Sequence, residues 1–248
     1  MIVVDNGSVD ATRAVIERRS RRGDLPIRYV SEPRRGLSRA RNAGIAAASQ
    51  PVLAFTDDDC LVTSDWLSAI ENEFADPRLS VLGGRVTLDD PADRAIAIRP
   101  FSEPADVVDV DGIGRYLIGC NMAVRRAVFA AVGSFDVRLG AGTGARSAED
   151  WDFCYRALKR GLTLRYSPSP HVRHAHGRRT AAAATEAANG YLVGRGAFYF
   201  KHVVRGDRSA LKHLYWEIRA ASNRQPDDVR NDALRRLLSG GFHYILGG

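Results

Sequence analysis

Three consecutive carboxylates, Asp57, Asp58 and Asp59, directly follow an apolar segment at residues 51–56 that predicts a buried β-strand. In open α/β sheets, ligands bind beyond the carboxyl ends of the strands. Because alternate residues of an extended segment point the same way, Asp57 and Asp59 can share one face. A divalent cation that joins such carboxylates to substrate phosphates would offset their mutual repulsion. The alternative is a solvated turn, in which Asp is a common residue.

A second pair of carboxylates, Glu149 and Asp150, opens a segment whose pattern predicts a helix over residues 148–160. A carboxylate in this place can act as a general base that takes a proton from a hydroxyl group. It can equally serve only to interact with the positive N-terminal end of the helix dipole. The glycine-rich loop at residues 139–144, just before this pair, is a candidate hinge.

Three histidines, His171, His174 and His176, lie close together in the chain. His174 and His176 are two residues apart, so both rings lie on one face if the segment is extended. One imidazole can complete a metal shell begun by Asp59, because imidazole nitrogen is a ligand for several divalent ions. The alternative is a set of surface histidines or hydrogen-bonded core histidines.

The elements that must position these residues alternate between strands and helices over the first 90 residues. Strands are predicted at residues 2–5, 26–30, 51–56 and 79–86, and helices at residues 10–19, 37–49 and 66–74. This alternation favours an α/β fold with right-handed βαβ units, a mostly parallel sheet and flanking helices. Further along, Pro168 and Pro170 predict the end of a strand over residues 162–166.

The pattern becomes helical from residue 180, with segments predicted at residues 180–202, 209–221 and 229–238. The sequence therefore predicts one domain over residues 1–178 and a helical extension over residues 179–248. Residues 171–248 hold 13 Lys and Arg against 6 Asp and Glu, so this end supplies the whole net charge of +7. A basic end of this kind can bind an anionic partner, or it can be a solvated face.

Composition argues against several classes of protein. The three cysteines are widely spaced and form no C-x-x-C pair, which argues against a zinc ribbon or a disulfide framework and favours reduced thiols in a cytoplasmic protein. No apolar run is long enough to cross a bilayer. A nucleic-acid-binding protein is an alternative suggested by the pI of about 9.7, but the basic residues form no aromatic-interleaved patch or known nucleic-acid motif.

Six segments of the chain resemble, in order, the motifs of family 2 glycosyltransferases with the GT-A fold. They are residues 3–10 (V-V-D-D-G-S-x-D in the family), 36–44 (G-x-x-x-A-R-N-x-G), 55–59 (D-x-D), 119–123 with 133–136 (G-x-N-x-A and G-x-F-D), 149–150 (E-D) and 172–174 (V-x-H). No single segment is specific, but six in the family's order make a specific match. The resemblance implies a GT-A-type, Rossmann-like α/β domain over residues 1–178.

The resemblance also implies a role for each matched residue. The residues implied for the donor nucleotide are Asp5, Arg41, Asp57 and Asp58; for Mg²⁺ or Mn²⁺, they are Asp57, Asp59 and His174. The implied general base is Asp150, supported by Glu149, and the implied acceptor-side residues are Asn121 and Trp151.

The implied reaction moves a sugar from a nucleotide-diphosphate sugar, typically a UDP-sugar, to a hydroxyl of a saccharide or lipid-linked acceptor. The leaving diphosphate needs a cation, and the attacking hydroxyl needs one carboxylate base. Because no second, nucleophilic carboxylate can be placed, inversion is expected.

The expected location is the cytoplasm, with the chain peripheral on the inner face of an anionic membrane. Its contacts there would be the basic C-terminal helices, Tyr215, Trp216 and the tail at residues 242–246. No nucleic-acid partner is expected.

The chain departs from the family pattern in two places. Family members begin with a strand of the type S-V-V-I-P-x-Y-N and a helix, whereas here Met1 starts directly at the strand that holds the segment at residues 3–10. The first strand of the family fold is therefore expected to be missing, which would leave sheet edges exposed. A catalytically inactive, truncated homologue is thus the alternative to an active enzyme. Asn6 stands where the family usually has a second Asp, and its amide can still face a base edge.

Overall fold

The computed structural model of the protein describes residues 1–223 and 227–246. The chain forms two compact units, each assembled from segments that are distant in sequence. The first unit comprises Met1–Ser49, Ser134–Glu149 and Leu192–Gly248, and the second comprises Gln50–Gly133 and Asp150–Tyr191. These discontinuous units do not follow the boundary predicted near residue 178.

The first unit opens with strand, helix, strand, helix. Its first four elements are β1 (Ile2–Asp5), α1 (Thr12–Ser20), β2 (Arg28–Ser31) and α2 (Leu37–Ala47). The two strands pair in parallel from Ile2 opposite Arg28 to Asp5 opposite Ser31. Helix α1 therefore connects two parallel strands, which is the βαβ unit that the alternating pattern predicts.

The second unit holds a six-stranded sheet. Its strands are β3 (Val52–Thr56), β4 (Cys60–Val62), β5 (Leu79–Leu88), β6 (Ala105–Val107), β7 (Asn121–Arg125) and β8 (Thr163–His174). Its helices are α3 (Trp66–Glu73), α4 (Val110–Tyr116), α5 (Ala127–Val132) and α6 (Glu149–Lys159), whose first residue belongs to the first unit. The strand order is β3-β7-β5-β8-β4, and β6 also pairs with β8. Strands β5 and β8 are parallel, whereas β3–β7, β5–β7, β4–β8 and β6–β8 are antiparallel.

The predicted α/β class is confirmed, and most predicted strands and helices lie within a few residues of their observed positions. Strands β4 and β6 and helix α4 were not predicted, because each is too short to show a periodic pattern. The antiparallel pairs arise where β7 enters between β3 and β5 and where β4 and β6 flank β8.

Strand β8 continues through the two prolines, so the prediction that it ends at Tyr166 is wrong. Its register with β5 shifts between Gly84, opposite Ser167, and Arg85, opposite His171. The three intervening residues bulge out of the ladder, which is the place where a sheet tolerates proline. The strand then runs on to His174, which lies opposite Cys60 of β4.

The core of the second unit forms where α3 packs on the sheet. Its buried residues are Trp66, Ile70, Phe74, Leu79, Leu82, Ala123 and Val172. Trp66, Ile70 and Phe74 are four residues apart, so they line one face of α3 and the turn that follows it. Full burial of each large apolar side chain contributes about 1.5–3 kcal/mol, which fixes β5 and β8 beneath this helix.

Three long helices end the chain: α7 (Ala181–Val203), α8 (Arg208–Ser222) and α9 (Asp227–Leu246). Helix α7 leaves the second unit at Tyr191, and the rest of it belongs to the first unit. There it packs backbone to backbone on α9, because a Cβ on Gly196 would fall on the Leu237 backbone and one on Gly240 would fall on the Val193 carbonyl. In residues 1–223 and 227–246, no helix is both long and apolar enough to span a membrane.

Candidate functional site

The turn after β1 holds Asp5 in a fixed position. Asp5 is buried, and its two carboxylate oxygens accept hydrogen bonds from the Ser8 amide and the Tyr29 hydroxyl, each at 2.9 Å. The hydrogen bonds from Ser8 are the main reason why the pKa of Asp5 lies below its usual range, and the bond from Tyr29 adds to them. The structure thus presents Asp5 as a charged, oriented carboxylate at the carboxyl end of a strand.

The amide of Asn6 is occupied within the first unit. Its Nδ2 donates to the carbonyls of Glu32 at 2.9 Å and Arg34 at 2.8 Å, while its Oδ1 accepts from the Gly36 amide at 2.8 Å. An aspartate could not make the two donated bonds, because a carboxylate only accepts. Asn6 therefore fastens the end of β1 to the segment before α2, which gives this departure from the family motif a structural reason.

Arg41 and Glu149 form a buried ion pair in the first unit. Their side chains are only 6% and 7% exposed, and Arg41 Nη1 lies 2.7 Å from Glu149 Oε1. Arg41 also lies over the ring of Phe135, 5.6 Å from its centroid. The family resemblance implies a donor contact for Arg41 and a supporting role for Glu149. In the structure each of these charges has the other as a partner.

The loop before Glu149 is tied down by hydrogen bonds within the first unit. The Leu37 amide donates to the Ala141 carbonyl at 2.9 Å, and Ser38 Oγ donates to the Leu139 carbonyl at 2.8 Å. Arg146 and Ala148 have positive φ angles of 66° and 73°, which non-glycine residues adopt only at a cost in energy. The predicted hinge at residues 139–144 remains a prediction.

In the second unit, the end of the acidic segment meets the end of β8. Asp57 is half-buried and Asp58 is exposed, whereas Asp59 Oδ2 lies 3.3 Å from His174 Nε2. The pKa of Asp59 is lowered mainly by His174. Burial lowers the pKa of His174, but the hydrogen bond and the charge of Asp59 outweigh it and raise that pKa overall. The structure therefore brings together two of the residues predicted to hold a metal.

A third possible ligand, the thiol of Cys60, joins this pair. One ligand atom from each of Asp59, Cys60 and His174 lies within 4.8 Å of the other two, and a carboxylate, a thiolate and an imidazole are all ligands of divalent transition metals. These residues thus fit a bound divalent cation. The spacing of the cysteines indicated only that Cys60 is a reduced thiol, and its position opposite His174 in the β4–β8 ladder is what identifies it as a possible ligand.

The predicted base, Asp150, is held by two backbone amides of the second unit. Gly119 N donates to its Oδ2 and Trp151 N donates to its Oδ1, each at 2.8 Å. Arg99 is nearby and half-buried. Burial lowers the pKa of its guanidinium, and the charge of Asp150 acts in the opposite direction. The carboxylate is therefore oriented by the backbone and lies within the electrostatic reach of a cation.

The two predicted acceptor-side residues have different surroundings. Asn121 is buried: its Oδ1 accepts from Trp66 Nε1 at 2.9 Å, and its Nδ2 donates to the carbonyls of Arg85 and Pro170 at 2.8 and 2.9 Å. Its amide thus fastens the bulge of β8 to the neighbouring strand. Trp151 is half-buried and packs on Gly114, where a Cβ would lie 2.5 Å from its ring.

One residue of the matched motifs has a role that sequence reasoning did not assign. Asp136, from the G-x-F-D segment, lies 2.8 Å from Lys201 Nζ and accepts a hydrogen bond from the Tyr244 hydroxyl at 3.0 Å. Burial raises its pKa, but Arg138 and Lys201 outweigh this effect and lower it overall. Because Tyr244 lies on α9 and Lys201 on α7, Asp136 anchors both helices within the first unit.

Residues 1–133, just over half of the chain, match the model of the family described as Glycosyl transferase family 2. A pre-mycofactocin glycosyltransferase of Mycobacterium tuberculosis is 28% identical over 150 residues, which are 57% of this chain and 30% of that protein. A succinoglycan biosynthesis protein of Rhizobium meliloti is 32% identical over 177 residues, 69% of this chain and 55% of that protein. The chain thus spans about a third to a half of these relatives.

Among solved structures, a mannosyltransferase of Pyrobaculum calidifontis, in complex with GDP-Man and Mn²⁺, superposes with a TM-score of 0.54. The match covers 99% of this chain and 63% of that one, at 17% sequence identity. This likeness supports the fold alone, the GT-A-type α/β fold predicted from the motifs. With the family match over residues 1–133, it leads to one conclusion: the chain belongs to glycosyl transferase family 2.

Proposed function

We propose that this chain carries the catalytic residues of a glycosyltransferase that uses a nucleotide-diphosphate sugar, a UDP-sugar in the first instance. The acceptor would be a hydroxyl of a saccharide or of a lipid-linked saccharide. The observation that carries the proposal is the proximity of Asp59 to His174, 3.3 Å apart. A carboxylate and an imidazole so placed suit a divalent cation, and a leaving diphosphate needs one.

Asp59 and His174 would hold Mg²⁺ or Mn²⁺, with Asp57 as a further carboxylate on the same segment. When bound, the ion would offset the negative charge that develops on the departing nucleoside diphosphate. The exposed Asp58 would contact the donor nucleotide, and Asp57 would contact its ribose or the ion. In the first unit, Asp5 would bind the base of the nucleotide, since its carboxylate is already oriented by Ser8 and Tyr29. Arg41, paired with Glu149, would position the donor-binding segment.

Asp150 would act as the general base. Amides of Gly119 and Trp151 fix both of its oxygens at 2.8 Å, which leaves the other lone pairs of the carboxylate for an acceptor hydroxyl. The proton of that hydroxyl would pass to Asp150 as its oxygen attacks the anomeric carbon. A single displacement by one attacking oxygen inverts the configuration. Trp151 and Asn121 would shape the acceptor side.

The exposed face of α8 supports a membrane surface as a further partner. Leu211, Tyr215 and Trp216 are each more than half exposed, and their spacing places them on one side of the helix. Exposed Lys212 and Arg219 lie on the same side of the helix, between them, and basic and aromatic residues together are typical of helices that lie on anionic bilayers. We propose that this face holds the protein on the cytoplasmic side of a membrane, near a lipid-linked acceptor.

Co-sedimentation with vesicles of phosphatidylglycerol and phosphatidylcholine tests this surface. Added salt should weaken binding, because it screens the attraction between the basic residues and the anionic lipid. The double variant Tyr215→Ser/Trp216→Ser should also bind more weakly, because the apolar anchor is lost. The control is Leu67→Ser, which removes a similarly exposed apolar side chain from α3 in the second unit. Equal binding by the double variant would contradict the proposal for α8.

Thermal unfolding with UDP, GDP or dTDP, each with and without Mn²⁺, tests the donor site. A nucleotide at 100 times its dissociation constant should stabilise the protein by about 2.7 kcal/mol. The expected result is a shift that requires both the ion and one preferred nucleotide. A chain that unfolds cooperatively but shows no shift with any of the three would contradict the proposed donor site.

A further inference from the structure

We propose that Cys60 is a third ligand of the cation that Asp59 and His174 hold. Its thiolate would make the site selective for thiophilic ions such as Zn²⁺ and Co²⁺ over Mg²⁺. The inference rests on the proposed function, because it concerns the same cation site. It goes beyond that function because it names Cys60 as a ligand and thiophilic ions as the class that binds. It also requires that the ion bind in the absence of nucleotide.

The possible ligand atoms lie close to one another, since one atom from each of the three residues is within 4.8 Å of the other two. Asp59 Oδ2 lies 3.3 Å from His174 Nε2, and Asp59 Oδ1 lies 3.6 Å from Cys60 Sγ. Zinc bonds of about 2.0–2.3 Å at tetrahedral angles place neighbouring ligand atoms roughly 3.3–3.6 Å apart. Because the two contacts use different oxygens of Asp59, its side chain would rotate to bring one oxygen, the imidazole and the thiol onto a single ion.

The backbone already holds the three residues in place. Cys60 of β4 lies opposite His174 of β8 in an antiparallel register. The carbonyl of Asp59 accepts a hydrogen bond from the Ala175 amide at 2.8 Å, which extends that ladder by one residue. Because the pairing of β4 with β8 positions all three residues, little conformational entropy is lost when the ion binds.

The types of ligand decide the class of ion. Mg²⁺ prefers oxygen ligands and retains several waters, whereas thiolate and imidazole favour zinc and similar ions. Three protein ligands with one open position are typical of zinc sites that also bind a substrate atom. The open position would suit a phosphate oxygen of the donor. The thiol proton would pass to solvent when the ion binds.

Packing alone is the competing explanation for Cys60, since the residue also borders the core beneath α3. The two explanations differ in what Cys60→Ser does. Serine keeps the size of the side chain, so packing changes little, but its hydroxyl is a poor ligand for thiophilic ions.

A cobalt titration in the absence of nucleotide tests the inference. The wild-type chain should develop the near-ultraviolet absorption of a thiolate-to-cobalt charge transfer. Cys60→Ser should lose that band. Its affinity for Co²⁺ should fall by more than the roughly 10–100-fold that follows removal of an outer-shell partner. The matched control, Cys154→Ala, removes a different thiol of the same unit and should keep the band.

A second measurement needs no variant. Zn²⁺ should protect Cys60 from alkylation by iodoacetamide in the wild-type chain, as followed by mass spectrometry. If Zn²⁺ gives no protection and Co²⁺ gives no thiolate band, the inference is overturned. Stabilisation by UDP with Mn²⁺, measured on the same sample, reports separately on the proposed function. A thiolate band without any response to nucleotide would support the ion site and contradict the proposed donor.

Discussion

Each unit contains matched carboxylates, but their surroundings differ. In the first unit, Glu149 is paired with buried Arg41, and Asp136 is paired with Lys201. In the second unit, the Asp59 side chain is 39% exposed, and Asp150 accepts only backbone hydrogen bonds among those described for it. Glu149 and Asp136 of the first unit are thus engaged in holding structure, whereas Asp59 and Asp150 of the second keep lone pairs for a ligand.

The adjacent residues Glu149 and Asp150 make this contrast sharpest. The family motif treats them as one pair, and their types are nearly the same. Glu149 belongs to the first unit and pairs with Arg41, while Asp150 belongs to the second and faces amides. Membership of a motif therefore does not by itself tell whether a carboxylate stabilises the fold or is available for a reaction.

The largest expected effect is on catalysis by Asp150→Asn. Asparagine can still accept the bond from Gly119 or Trp151, but it cannot take a proton from a hydroxyl. The rate of donor turnover should fall by roughly 10²–10⁴-fold, the usual contribution of a general base. Release of the nucleoside diphosphate, followed by chromatography, measures it. Unchanged turnover would remove Asp150 from the mechanism.

The next effect is on stability, from Arg41→Met. It removes the guanidinium that lies against the buried Glu149 carboxylate, which should cost about 3–5 kcal/mol. Urea unfolding followed by circular dichroism gives the free energy. The double variant Arg41→Met/Glu149→Leu should regain much of the loss, because an apolar pair of similar volume avoids the buried charge. If the single variant is as stable as the wild type, the pair is not structural.

Acid unfolding tests Asp136. The pKa of Asp136 in the folded protein lies below its value of 3.8 in the unfolded chain. At a pH between these two pKa values, the unfolded chain therefore binds one more proton than the folded protein does. The stabilisation is therefore complete above about pH 4 and is lost as the pH falls through the folded pKa. Asp136→Asn should flatten this acid limb of the unfolding free energy. An acid limb of unchanged slope in the variant would contradict the assigned role.

The smallest effect is expected for Asn6→Asp, which restores the usual family residue. It places a carboxylate against the carbonyls of Glu32 and Arg34, in place of two donated hydrogen bonds. The half-buried site should lose about 1–3 kcal/mol. The control Asn72→Asp, at an exposed position of α3, should change the unfolding free energy by far less. Equal changes would show that the Asn6 amide contributes little.

Much of the framework could be predicted from sequence. The strand before Asp57 and the helix that begins at Glu149 follow from local patterns, and the motifs gave the family. The partners of these residues could not be predicted, because they are remote in the chain: Arg41 is 108 residues from Glu149, and Asp59 is 115 residues from His174. Local patterns carry no information on pairs at that separation.

The course of β8 shows the same limit. Proline lacks an amide hydrogen, so Pro168 and Pro170 locally predict the end of a strand. The neighbouring β5 accommodates them with a register shift at Gly84, where a side chain would collide with Asn121 and the Pro170 carbonyl. That shift is what carries β8 on to His174. The position of Cys60 beside His174 could therefore not have been found from either segment alone.

Calorimetric titration of the preferred nucleoside diphosphate tests the central claim, that Asp59 holds the ion serving the donor. Wild type and Asp59→Ala are compared with and without Mn²⁺, and Glu71→Ala, which removes an exposed carboxylate from α3 of the same unit, is the matched control. We predict that Mn²⁺ strengthens nucleotide binding in the wild type and in Glu71→Ala, but not in Asp59→Ala. An equal Mn²⁺-dependent gain in Asp59→Ala would contradict the assignment of the cation site.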